Sequence, residues 1–146
     1  MYKHILVPTD GSKLSTKAIK TAARLARLSG ARLTGVSVMP PNPRPIYSES
    51  VTYGIAPRNF KEIQEKAAKK ALAVVKIEAD TAGIEVSTVS ITADQPWRAI
   101  ISTARARRCD LIVMASHGRG GLSALLLGSE TAKVLTHSKI PVLVCR

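Results

Sequence analysis

Asp110-Leu111-Ile112-Val113-Met114-Ala115-Ser116-His117-Gly118 is an apolar run that ends in a glycine turn. Nine residues later, Gly128-Ser129 opens a helical pattern that runs to His137. A strand, a glycine-bearing loop and a helix in that order bring backbone N–H groups and the positive end of a helix dipole together, which is how a phosphate is held. The loop has no Gly-Lys-Ser or Gly-Lys-Thr, and Gly118, Gly120 and Ser123 give only a partial dinucleotide fingerprint with no helix opening at once. Spacing alone leaves two readings open: an anion-binding loop, or a set of turn and cap glycines.

Outward from this stretch, short apolar runs alternate with helical patterns. Residues 3–8 read as a strand and 15–29 as a helix, with Leu14, Ala18, Ala22, Leu25 and Ala26 near one face and Gly30 as its stop. A strand at 32–38 follows. Residues 39–57 carry Pro40, Pro41, Pro43, Pro45 and Pro57 and resist regular structure; connections of that length are usually functional or mobile. The next helix is expected over 60–82, with Ile63, Ala67, Ala71, Val74 and Val75 inward and Glu62–Lys66 and Glu65–Lys69 as i,i+4 pairs. A strand at 84–91 leads to a helix with Asp94 as N-cap and Pro96 in its first turn, running to about 107. Its apolar face is Trp97, Ile100, Ile101 and Ala104. A fourth strand (110–115), a fourth helix (129–137) and a last strand from Ile140 to Cys145 complete the chain.

Strands and helices in alternation, with near-continuous apolar strands, imply a single α/β domain over 1–146, built on a parallel sheet covered on both faces. Right-handed crossovers make 3-2-1-4-5 the simplest doubly wound strand order for five strands. The first and fourth strands are then neighbours at the switch point, where such sheets bind ligands. Asp10 comes to lie beside 115–118, with the end of the second strand, Val38 and Met39, facing the same crevice.

At 146 residues and 45% hydrophobic, the composition is that of an ordinary globular domain. No apolar run reaches the roughly 18 residues of a membrane span. The N-terminus enters a strand without a signal-type apolar region, so a cytoplasmic protein with no membrane partner is expected. Cys109 and Cys145 fall at opposite ends of adjacent strands and read as free thiols. The net charge of +12 comes from scattered residues, and with one Trp, one Phe and three Tyr there is little to stack on bases. Nucleic acid is therefore not the expected partner. His4, His117 and His137 have no metal-ligand spacing. Ser116 and His117 are adjacent, and neighbours in sequence rarely aim their side chains at each other; the nucleophile-elbow pattern is also absent. No catalytic residue is expected.

Four segments together resemble the universal stress protein family, its ATP-binding branch in particular: Ile5-Leu6-Val7-Pro8-Thr9-Asp10-Gly11-Ser12, Ser116-His117-Gly118-Arg119, Leu126-Leu127-Gly128-Ser129 and Pro141-Val142-Leu143-Val144. The branch's loop reads Gly, two residues, Gly, nine residues, Gly, then Ser or Thr. This chain matches it at Gly118, Gly128 and Ser129 and departs at Ala115, where the branch has glycine. Alanine adds one methyl, which hinders a phosphate only if φ must be positive or the backbone contact is very close.

The resemblance implies an ATP site. Val38 and Met114 would flank the adenine, with Pro8 and Thr9 shaping that wall. Asp10 would lie near the ribose and the metal–phosphate region, able to hold Mg²⁺ through water. An Asx turn or helix cap at Asp10-Gly11-Ser12 is equally consistent with the residues. Ala115, His117, Gly118, Gly128, Ser129 and Glu130 would surround the phosphates, Glu130 through its N–H alone, and Arg119 could add charge. The resemblance also implies a homodimer through the strand from Ile140 to Cys145, and a role as a stress-response regulator that acts on a protein partner through binding. The alternatives are a slow ATPase and a nucleotide-independent interaction protein.

Overall fold

The computed structural model describes residues 1–41, 57–119 and 126–146, without the side chains of Pro57 and Arg58. Its elements alternate as β1 (His4–Pro8), α1 (Lys13–Ser29), β2 (Arg32–Met39), α2 (Pro57–Ala82), β3 (Val86–Thr92), α3 (Pro96–Ala106), β4 (Leu111–Ala115), α4 (Ser129–His137) and β5 (Val142–Cys145). The strands form one sheet in the order β3-β2-β1-β4-β5, every pairing parallel. This is the expected order. Most of the proline-rich segment expected at 39–57 lies outside the described residues, as do Gly120, Gly121 and Ser123.

Successive residues of a strand face opposite sides of a sheet, so each central strand feeds two cores. Ile5 and Val7 of β1, with Leu111 and Val113 of β4, pack beneath α1 and α2 against Ile19, Ala22 and Val75. Leu6, Ile112 and Met114 face the other way, toward Ile100, Ile101 and Ala104 of α3 and Val134 of α4. Helices thus cover both faces. Met114 lies on the α3–α4 side for no reason other than its parity in β4, and that places it at the site described below.

Some local expectations need correction. Ile63, expected inward, is half exposed, because the buried stripe of α2 runs through Ala68, Ala71, Leu72, Val75 and Ala79. Glu65 pairs with Lys61 at 3.8 Å rather than with Lys69, and Glu62–Lys66 is not among the ion pairs of the described residues. The last strand starts at Val142, since Pro141 has no N–H to donate and its carbonyl alone joins the ladder, accepting from Ile112 at 2.9 Å. Cys109 and Cys145 are both free thiols. Burial, helped by the Asp110 charge, pushes the Cys109 thiol up to about 11, so it stays protonated and inert. No helix among the described residues is long and apolar enough to cross a membrane.

Candidate functional site

Where β1 and β4 end side by side, a cavity of about 410 Å³ opens between their loops and the first turns of α3 and α4. One wall is apolar: Val36 and Val38 from β2, Met114 from β4, Pro96 and Ile100 from α3. The strand residues reach it by the same alternation that directs Leu6 and Ile112 to that face. The opposite wall is polar, from Thr9, Asp10 and Ser15 to Ser129 and Thr131 at the start of α4. Pro8, Ala115, His117, Gly118, Gly128 and Glu130 complete the lining. Of the residues assigned to the nucleotide from the sequence, Arg119 alone does not line this space; Met39, expected to face the same crevice, does not line it either. The sequence reading missed Ser15, Val36, Pro96, Ile100 and Thr131. Pro96 and Ile100 read from sequence as helix residues, but their place in the wall depends on how α3 crosses the sheet.

α4 begins at Gly128 in extended conformation, and among the described residues no side chain caps it. The first N–H groups of a helix have no intrahelical acceptor, so those of Ser129, Glu130 and Thr131 are donors at the edge of the cavity. The Gly128 N–H donates to the Ser116 carbonyl at 2.7 Å, and the Thr131 hydroxyl donates to the Ala115 carbonyl at 2.9 Å. These bonds fasten α4 to the end of β4. A Cβ on Gly128 would lie 3.0 Å from the His117 Cα and 3.1 Å from the Ser116 carbonyl oxygen, and one on Gly118 would lie 2.7 Å from the Asp10 carboxylate. Neither glycine has a positive φ. Both are required by close approach of the chain to itself. Ala115 ends β4 in register with Cys145 and has ordinary strand geometry, the one positive φ outside glycine among the described residues being that of Arg108. The alanine is therefore accommodated without backbone strain.

The Asp10 carboxylate accepts the Ser12 N–H at 2.9 Å, forming the Asx turn, and the Arg119 N–H at 3.0 Å. Burial alone would raise this carboxyl, but donors from Ser12, Arg119 and Ser15 outweigh it and hold the group below its ordinary value. Glu130 plays a part that the sequence did not disclose. Its carboxylate accepts the Trp97 N–H at 2.9 Å and faces the Lys133 ammonium at 3.3 Å. It thus caps α3 from outside. The expected N-cap, Asp94, is displaced one residue by Pro96 at the first helical position, and Gln95 takes the cap position without a side-chain bond. The Trp97 indole stacks on the His137 ring, centroids 4.6 Å apart, with the Arg98 guanidinium 5.0 Å from the indole centroid.

Ser116 Oγ and His117 Nδ1 do approach, at 3.2 Å, contrary to the expectation for neighbours in sequence. Ser116 is buried and does not line the cavity, so the pair presents no nucleophile to a ligand there. Among the described residues, no three His, Cys, Asp or Glu side chains cluster to hold a metal ion.

The profile of the universal stress protein family matches residues 1–146. Universal stress protein MJ0531 of Methanocaldococcus jannaschii is 32% identical over 146 residues, covering all of this chain and 83% of that one. Universal stress protein YxiE of Bacillus subtilis is 32% identical over 152 residues and both chains are covered in full. The solved structure of MJ0577, also from M. jannaschii, superposes with a TM-score of 0.80 at 29% identity, over 99% of this chain and 96% of that one. A universal stress protein solved in complex with cAMP superposes with a TM-score of 0.70 at 25% identity, over 98% and 95% of the two chains.

Proposed function

The chain belongs to the universal stress protein family, and on that premise we propose that it binds ATP at the carboxyl edge of its sheet and signals through the bound state rather than through turnover. The observation that carries this reading is the pairing, in one cavity of about 410 Å³, of an apolar wall with the uncapped start of α4. The adenine lies between Val38 and Met114, with Pro8 and Thr9 beside it. The phosphates lie on the segment from Gly118 to Glu130, on backbone N–H groups and the Ser129 hydroxyl. The cAMP-bound relative supports an adenine nucleotide as the class of ligand.

A Mg²⁺ accompanying the triphosphate would be held through water by Asp10, whose free lone pairs can accept from a bound water, and would offset phosphate charge. The donor set suits this, since a helix terminus and one carboxylate complement a cation–phosphate pair but do not form a metal cage. Among the described residues, both carboxylates that line the cavity, Asp10 and Glu130, are engaged by backbone N–H groups, which supports binding over turnover. A homodimer through β5 is supported by the exposure of Leu143, a large apolar side chain on an edge strand. The site is that of a cytoplasmic regulator whose nucleotide biases loop or dimer conformation for a protein partner.

Magnitudes indicate which wall matters more. A helix terminus contributes about 0.3–2 kcal/mol to a bound anion, whereas micromolar binding needs about 8 kcal/mol. The apolar wall must supply much of the difference. Calorimetric titration of the nucleotide-stripped protein with ATP, adenosine and inorganic triphosphate tests this. The expected order is micromolar ATP, adenosine weaker by about 10- to 100-fold, and no saturation by triphosphate alone. No binding at millimolar ATP would overturn the reading in favour of a nucleotide-independent interaction protein.

A further inference from the structure

Two turns meet at the carboxyl ends of β1 and β4, and each has a glycine where the other's side chain lies. A Cβ on Gly118 would fall 2.7 Å from Asp10 Oδ2, and one on Gly11 would fall 2.9 Å from a guanidinium nitrogen of Arg119. Gly11 is also held at φ +78°, which a side chain rarely adopts. The Asp10 carboxylate then closes the junction by accepting the Arg119 N–H at 3.0 Å, across 109 positions of sequence, while its other oxygen accepts the Ser12 N–H. The two turns are interlocked: carboxylate over one glycine, guanidinium over the other, and a charge-assisted hydrogen bond between them.

We propose that Asp10 is a positioning residue for the nucleotide site, whose carboxylate latches the Gly118–Arg119 segment in place before any ligand arrives. The inference rests on the nucleotide reading above and gives Asp10 a task that needs no metal. Each carboxylate oxygen already accepts a backbone N–H from a different turn, so its orientation is fixed by the protein. Any rotation of the carboxylate toward a ligand would release one turn or the other. Order built in beforehand strengthens binding because the loop is not immobilised at the moment of association. It also accounts for Gly118, whose missing side chain makes room for the Asp10 carboxylate.

The test uses Asp10→Ala, Asp10→Asn, Gly118→Ala and the double variant Asp10→Ala/Gly118→Ala in the full chain. In nucleotide-free protein, hydrogen exchange at the Arg119 amide should accelerate by about tenfold or more in Asp10→Ala, and less in Asp10→Asn, which keeps one acceptor oxygen. Unchanged exchange overturns the latch whatever the protein binds. ATP affinity should fall about tenfold in Asp10→Ala, equally with Mg²⁺ and with EDTA. A loss confined to the Mg²⁺ titration overturns the proposal in favour of a metal ligand. Gly118→Ala should cost affinity in the native background and little more once Asp10 is alanine, because the atom it collides with is gone; strict additivity counts against the interlock. Wild-type protein that takes no nucleotide overturns the nucleotide reading and leaves the latch to be decided by the Arg119 exchange alone.

Discussion

Two cavities of nearly equal volume lie at opposite ends of the sheet, about 410 Å³ at the carboxyl edge and about 420 Å³ at the amino edge. The amino-edge cavity has the formal cations, with Lys3, Arg27 and Arg32 against one acid, Glu85. Among the described residues, the carboxyl-edge cavity is lined by two acids, Asp10 and Glu130, and no lysine or arginine. Counting charges would send an anion to the end opposite the proposed site. In a parallel α/β sheet the helices start at the carboxyl edge and finish at the amino edge, so fixed N–H donors collect at one end and carbonyls at the other. Both acids at the carboxyl edge are occupied by backbone N–H groups. The apolar wall has no counterpart at the amino edge, where Ala31, Ala82 and Ile84 are small or sit among charges. Fixed donors beside an apolar wall, rather than volume or net charge, distinguish the two.

The comparison can be tested from both ends. The largest effect belongs to Gly128→Asp, which forces a Cβ to within 3.0 Å of the His117 backbone and adds a charge beside the proposed phosphate site. ATP affinity should fall by at least about 100-fold, roughly 3 kcal/mol, by calorimetry. Next is Asp110, which at the amino edge accepts the Lys3 and His4 N–H groups at 2.8 and 3.0 Å, as Asp10 does for two N–H groups at the other end. Asp110→Ala should lower unfolding free energy by about 1–2 kcal/mol, after allowance for partial exposure, and leave ATP affinity unchanged. A change in affinity would mean that the two ends are coupled.

The third test is the pH dependence of stability. Burial, then the Arg32 charge, holds the His4 ring below the ordinary histidine value, against the Arg107 backbone and the charges of Asp110 and Glu85. The folded chain therefore prefers the neutral ring. That contribution is complete above the free-histidine value of about 6.5 and is lost as pH falls from there toward the lower folded value. Denaturant midpoints should fall with pH in this range and flatten in His4→Gln. An equal slope in the variant would remove His4 as the cause. A smaller effect is expected from Ala115→Gly, which should change ATP affinity by less than about threefold, since the alanine already has strand geometry. The smallest is for Arg27→Ala/Arg32→Ala, which should leave ATP affinity within about twofold. A larger loss would mean that formal charge at the far edge governs the site after all.

Much of the fold can be read from the chain because burial on both faces writes each central strand as an apolar run, and crossover handedness then leaves few strand orders. The segments from Pro8 to Asp10 and from Met114 to Gly118 were legible for the same reason, since they follow directly from strand ends. Contacts made between elements were not. The Glu130 carboxylate reaches Trp97 across 33 positions, and only the packing of α4 on α3 sets that contact. Asp94 satisfied the local rule for an N-cap and lost the role to a group outside the helix. Likewise, Asp10-Gly11-Ser12 shows its Asx turn in three letters, but its bond to Arg119 depends on β1 and β4 being neighbours.

The Trp97–His137 stack has a practical use. The chain has a single tryptophan. Its backbone N–H is bound by Glu130 at the rim of the cavity, and its ring rests on the far end of α4. Any slide of α4 against α3 must alter the overlap of indole and imidazole, and with it the emission of the only indole present. The native chain thus carries its own optical gauge, positioned to record, without a label, whether filling the cavity shifts the helix that borders it.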